Sequence, residues 1–138
     1  MEKKAIVSKF RLEKYVIDKS IFDYNKQEIS SERNIGFDVH GVIKNNNQFE
    51  LTLITNIIDE NKSLKIFVSI AAVYEFDSDI KPEILDSMFY KNAPAIIFPY
   101  VRAYIASLTS LSGIETIHIP TMNLSSIADE LKNNTTKE

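Results

Sequence analysis

Cysteine is absent from the 138 residues, which excludes disulfides, thiolate chemistry and cysteine-ligated zinc, and suits a reducing compartment. Glycine is limited to Gly36, Gly41 and Gly113. A phosphate-cradling loop needs several glycines close together so that backbone N–H groups can approach the ligand, so three scattered ones exclude it, and nucleotide use is not expected. Histidine is limited to His40 and His118, on separate segments with no cysteine to complete a metal set. Each is expected to be an ordinary strand residue beside solvent, and no metal or cofactor is expected. Positive charge is also scarce: 16 Lys and Arg against 19 Asp and Glu leave a net charge of -3. Affinity for phosphate backbones and anionic lipid grows with clustered Lys and Arg, so nucleic acid is not an expected partner. No apolar run approaches the length of a membrane span. The start, Met1-Glu2-Lys3-Lys4 followed by alternating polar and apolar residues, lacks the apolar stretch of a signal peptide. No membrane insertion and a cytoplasmic location are expected.

What is present is a chain of ordinary single-domain size with 44% hydrophobic residues, enough for its own core. One domain over residues 1–138 is expected, with 1–4 and 132–138 flexible. Apolar residues recur with period two between residues 5 and 78, the pattern of strands with one buried face. The first extended stretch, Ile6 to Tyr24, is long. Its Phe10 and Leu12 are out of phase with Ile21 and Phe22, which predicts a bulge or break near Lys14 to Lys19. Ile35, Phe37, Val39, Gly41 and Ile43 alternate in a second strand, and Asn45-Asn46-Asn47 turns into a third with Phe49, Leu51, Leu53, Thr55 and Ile57. The fourth carries Leu64, Ile66, Val68, Ile70, Ala72, Tyr74 and Phe76.

After residue 80 the period becomes helical. Pro82 suits a first turn, followed by Ile84, Leu85, Met88 and Phe89. A longer helix is predicted from Pro94 to Leu111, with a late start or kink at Pro99 and Gly113 past its end. Ile114 to Ile119 reads as extended, and Asn123 or Ser125 as the cap of a last helix through Leu131. Four strands followed by helices predict an α+β fold: a four-stranded antiparallel sheet with helices packed on one side. The opposite face is then left with Val42, Ile54, Ile58, Phe67 and Val73, too apolar for simple exposure, which implies self-association or a bound partner.

Catalytic sets are not found. Asp77 and Asp79 form a D-x-D pair, but two carboxylates supply too few oxygens for a calcium or magnesium site, and a turn that feeds and caps the helix at Pro82 is the simpler reading. Glu83 and Asp86 read as a solvated helix face. Tyr90, Phe98, Tyr100 and Tyr104 cluster around the longer helix, and residues of this type serve equally as core or as broad contacts for many sequences. The chain is not expected to be an enzyme.

Residues 92–108 read Asn92-Ala93-Pro94-Ala95-Ile96-Ile97-Phe98-Pro99-Tyr100-Val101-Arg102-Ala103-Tyr104-Ile105-Ala106-Ser107-Leu108. They resemble the signature P-x-I-L-F-P-Y-A-R-x-x-I-[AS]-x-[ML] that opens the long helix of the SecB family of export chaperones. Ile117-His118-Ile119-Pro120-Thr121-Met122-Asn123-Leu124 is similar to the family segment before its last helix, and Ser20-Ile21-Phe22-Asp23 to the end of its first strand. The resemblance implies an ATP-independent holding chaperone that binds unfolded polypeptides such as presecretory proteins. It also implies a homotetramer, a dimer of dimers, with clients in long apolar grooves. Carried onto matching positions, it places client contacts at Ile35, Phe37 and Val39, with Ile66, Val68, Tyr100, Tyr104, Ile105 and Leu108 as neighbours. Asp23 keeps one acidic position that the family uses to dock the export motor SecA. Phe67 stands at the second such position, and the tail Leu131 to Glu138 has no cysteine for the zinc tail of many members. Two further readings compete: a dedicated SecB-like chaperone of a toxin–antitoxin pair, and a purely structural oligomerisation domain.

Overall fold

The computed structural model describes residues 4–138; of the segment 1–4 expected to be flexible, residues 1–3 lie outside the described residues. The long strands are β1 (Phe10–Tyr24), β2 (Arg33–Ile43), β3 (Gln48–Asp59) and β4 (Leu64–Phe76). They are followed by α1 (Pro82–Ser87), a π-helical turn (Met88–Asn92), α2 (Ala93–Leu111), α3 (Ser125–Asn133) and β5 (Thr135–Lys137). The sheet order is β1-β4-β3-β2-β5.

The fold is α+β as expected, and the four long strands pair antiparallel. The expected four-stranded antiparallel sheet is corrected to a mixed sheet of five strands, because β5 adds to β2 in parallel. Residues 132 and 133 complete α3, and Thr135–Lys137 form β5. Thr135-Thr136-Lys137 has no apolar alternation; it becomes a strand because α3 delivers it to the free edge of β2.

Pairing of β2 with β3 runs without a slip from Arg33↔Asp59 to Ile43↔Phe49. Against β4, the pairing of β1 slips twice, between Leu12 and Lys14 and between Ile17 and Lys19, leaving Glu13 and Asp18 as extra residues. Each bulge shifts the side-chain phase by one, and two restore it. Phe10, Leu12, Ile17 and Phe22 therefore share the inner face, and Ile21 turns outward.

All helices pack on the inner face. Phe89, Ile97, Phe98, Val101 and Ile105 join the strand residues in one core, with Ile117, Ile119, Ile127 and Leu131. Phe89 is its centre: its ring stacks on Phe49 at 4.6 Å and meets the edge of Phe76 at 5.2 Å. Burial pushes the Tyr74 hydroxyl pKa upward, and that hydroxyl donates to the carbonyl of Ala93. Of the two expectations at Pro99, a late start or a kink, the late start is not found: α2 begins at Ala93 and contains Pro99. The helical path runs on from α1 through the π turn, where the Ala93 N–H donates to Met88 O, five residues back. This wide turn lies just before Pro94, whose ring crowds the preceding turn in a regular helix.

Asp59, buried at the end of β3, accepts from the N–H groups of Leu64 and Ser30, each at 2.9 Å, tying the β3–β4 turn to the segment before β2. Asp77 and Asp79 do not cap α1, whose cap position is Lys81 without a side-chain bond. They pair instead with Arg11 at 3.0 Å and Lys9 at 2.8 Å, fastening the start of β1 to the end of β4.

Candidate functional site

The nine residues proposed for client contact do not form one surface. Val39, Val68 and Ile105 have no exposure and Ile66 has 2%. Within the single chain these four belong to the core: the period-two and helical stripes that carry them face each other, so each is covered by its own chain. The other five remain accessible. Ile35, Phe37, Tyr104 and Leu108 are half-buried, and Tyr100 is exposed.

The accessible residues divide into two strips. Ser20, Val68, Thr55 and Phe37 form one cross-strand row of the inner face. The Tyr104 hydroxyl donates to Ser20 Oγ at 2.8 Å, while Phe37 packs on Phe98 at 5.6 Å. Tyr104 and Phe37 thus stand at opposite ends of the row, three strand spacings or about 14 Å apart. The buried residues lie between them.

The strip over β1 is an open cleft of about 250 Å3 lined by Tyr15, Ile17, Tyr100, Ala103, Tyr104 and Ser107. No lining residue is charged. On α2, Tyr100 and Tyr104 are one turn apart, and Ala103 and Ser107 beside them are small, which leaves the tyrosine faces open. The rings of Tyr15 and Tyr100 lie 4.6 Å apart, and Tyr100 is 42% and Tyr15 43% exposed. Tyr15 did not emerge from the sequence, because its phase depends on the bulge at Glu13. The second strip is β2 from Arg33 to Phe37, with Ile35 and Phe37 alternating along it.

On the outer face, Val42, Ile54, Phe67 and Val73 are half-buried and Ile58 is 39% exposed, and among the described residues no helix lies over them. Asp23 is exposed there opposite Lys65, and Lys19 lies over the Phe67 ring at 5.4 Å. His40 and His118 are both exposed. Among the described residues, no cluster of three or more His, Asp or Glu is placed to hold a metal, and no helix is long and apolar enough to cross a membrane.

The family model of the preprotein translocase subunit SecB matches residues 7–134. No curated protein matches the chain significantly. Among solved structures, the chain is similar to a SecB-like chaperone of Mycobacterium tuberculosis in complex with a ChAD peptide from the HigA1 antitoxin. That match has 10% identity and a TM-score of 0.69, covering 83% of this chain and 88% of the other. A protein of unknown function from Streptococcus agalactiae matches with 9% identity and a TM-score of 0.50, covering 81% and 97%. At such identities the likeness is one of fold. The family match, which spans nearly the whole described chain and includes the helix signature at residues 92–108, places this protein in the SecB family.

Proposed function

We propose that this protein is an ATP-independent holding chaperone that binds non-native polypeptide along the tyrosine cleft and the Ile35–Phe37 strip. The observation that carries the reading is the cleft itself: exposed, uncharged, and floored by apolar residues, with hydroxyls at its rim. Such a surface takes apolar side chains of many sequences while its hydroxyls accept or donate to passing backbone. Burial of client surface contributes roughly 25 cal/mol per Å2, but ordering a flexible chain offsets much of it, so a single segment binds weakly. Several strips on one assembly raise the effective concentration of each later segment.

We further propose one domain over residues 1–138, assembled as a homotetramer of two dimers, with the outer face supplying apolar contact area. Presecretory proteins are the proposed clients. The antitoxin reading has the Mycobacterium tuberculosis neighbour, solved with an antitoxin peptide, in its favour. Docking to SecA is not included, since Asp23 faces Lys65 and Phe67 occupies the second matched position.

The test is holding of a reduced, unfolded protein against its folded form, with Tyr100→Asp as the variant. Tyr100 is exposed, so this change leaves the fold intact and is expected to weaken holding about tenfold. Undiminished holding by a folded Tyr100→Asp protein rejects the cleft. A tetramer that ignores every unfolded protein leaves the structural reading, and one that takes a single antitoxin segment alone leaves the dedicated one.

A further inference from the structure

The two edges of the sheet are protected differently. β1 carries two bulges and, in and around them, Glu13, Lys14, Asp18 and Lys19, which twist and charge its edge against pairing. β2 has no bulge against β3, and from Ile35 to Ile43 it contains no Lys and no Pro. Its edge is occupied instead, but only at one end. The Gly41 N–H donates to Asn134 O at 3.3 Å, Ile43 O accepts from the Glu138 N–H at 2.9 Å, and Val39 O accepts from Asn134 Nδ2 at 3.2 Å. Outward backbone groups recur every second residue, so those of Ile35 and Phe37 point the same way. Among the described residues, no hydrogen bond reaches them from that side.

We propose that the outer edge of β2 is a strand-addition seat for extended client segments, and that residues 134–138 are its built-in competitor, closing the Gly41–Ile43 end until a client displaces them. The proposal rests on the holding reading above and assigns it a regulator. The occupant is identified by what already sits there: an extended polypeptide held by main-chain hydrogen bonds, which serve any sequence. Side chains of Ile35 and Phe37 supply alternating apolar contacts at the open end. The strap is suited to leave. It pairs over Gly41–Ile43 alone, in the parallel mode that is weaker per residue, and its salt bridge, Lys44 to Glu138 at 2.7 Å, is solvent-accessible.

The absence of cysteine allows the strap to be locked without side reactions. Val42 and Thr136 are register partners, so Val42→Cys with Thr136→Cys forms a disulfide across the pairing. Binding of reduced, carboxymethylated lactalbumin is measured on the full chain by fluorescence anisotropy. The oxidised form is expected to bind several-fold more weakly than the same protein after reduction. Ile35→Pro is compared with Ile35→Ala: both lose the side chain, but only proline removes an outward N–H while sparing the β2–β3 ladder. Proline is expected to weaken binding about fivefold beyond alanine, the worth of one hydrogen bond. If the wild type holds lactalbumin but locking changes nothing and the two Ile35 variants agree, the seat is overturned and the holding reading stands. Failure of the wild type to hold it overturns the holding reading first. A changed assembly mass for Ile35→Pro at unchanged client affinity makes the edge a contact with a second copy, which also overturns the proposal. Should Ile35→Pro not fold, the locked and reduced forms decide alone.

Discussion

The two faces of the sheet come from the same strands, yet only one became a core. Two inner rows are unbroken, Ile17, Ile70, Leu53 and Val39 in one and Phe22, Ile66, Ile57 and Ile35 in another, and the row between them, Ser20, Val68, Thr55 and Phe37, carries hydroxyls but no charge. Outer rows are mixed: Lys19, Ser69, Ile54 and Asp38 in one, Ile21, Phe67, Asn56 and Gly36 in the next. The difference teaches that apolar content along a strand does not decide burial. The neighbouring rows do, because a helix spans several rows and can be laid only where none of them strands a charge beneath it. Outer apolar residues interrupted by Lys, Asp and Asn can be covered only by a surface that answers those polar groups, as protein interfaces do.

The sharpest way to break the comparison is at the centre of the inner face. Phe89→Ala leaves a cavity among Phe49, Phe10 and Phe76 and is expected to cost about 3–5 kcal/mol in urea unfolding. A loss below about 1 kcal/mol shows that the aromatic cluster does not hold helix to sheet.

Asp59, at the end of the inner face, gives a pH signature of smaller size. Burial alone raises its pKa, but N–H groups of Leu64, Ser30, Ser63 and its own backbone outweigh this and hold the carboxylate below its ordinary value of 3.8. A group depressed on folding contributes its full stabilisation above the unfolded pKa and loses it as pH falls toward the folded one. Melting temperature is therefore expected to fall as pH drops below about 4, more steeply in the wild type than in Asp59→Asn. Parallel profiles remove Asp59 from the acid response.

On the outer face the expectation reverses. Phe67→Glu is expected to change subunit stability by at most about 0.5 kcal/mol, since Phe67 has no helix over it. It should lower the assembly mass in light scattering, because it sets a charge in the contact proposed for the outer face. An unfolded subunit would instead make the outer face a second core. The smallest effect is at the cleft rim: Tyr104→Phe removes the bond to Ser20 Oγ, which is solvent-accessible, and is expected to cost under about 1 kcal/mol while weakening holding at most a few-fold. A large loss of holding would assign the hydroxyl to the client rather than to Ser20.

Much of this was legible beforehand. Period-two alternation located all four long strands, and the phase conflict between Phe10 and Ile21 signalled irregularity in β1, although not that two bulges would restore the phase. The helix signature at residues 92–108 carried the family. The π turn was not legible, because Met88 to Asn92 has ordinary helical composition and only Pro94 hints at crowding. Nor was β5, whose three residues are polar and gain strand form from the edge they meet. Accessibility at the candidate site was legible only in part: Tyr100, Tyr104, Leu108, Ile35 and Phe37 are accessible, but Val39, Ile66, Val68 and Ile105 carry the same alternation and are buried.

The sequence by itself determined the class of the four long strands and of the helices after them, and which reactive side chains are missing, since these follow from periodicity and from which atoms a side chain has. Only the tertiary structure decided which of the apolar stripes would be covered. Coverage depends on where α2 lies over the sheet, on how two bulges turn Tyr15 toward Tyr100, and on where α3 releases residues 134–138. All three are relations between segments far apart in the chain, and local pattern carries no record of them.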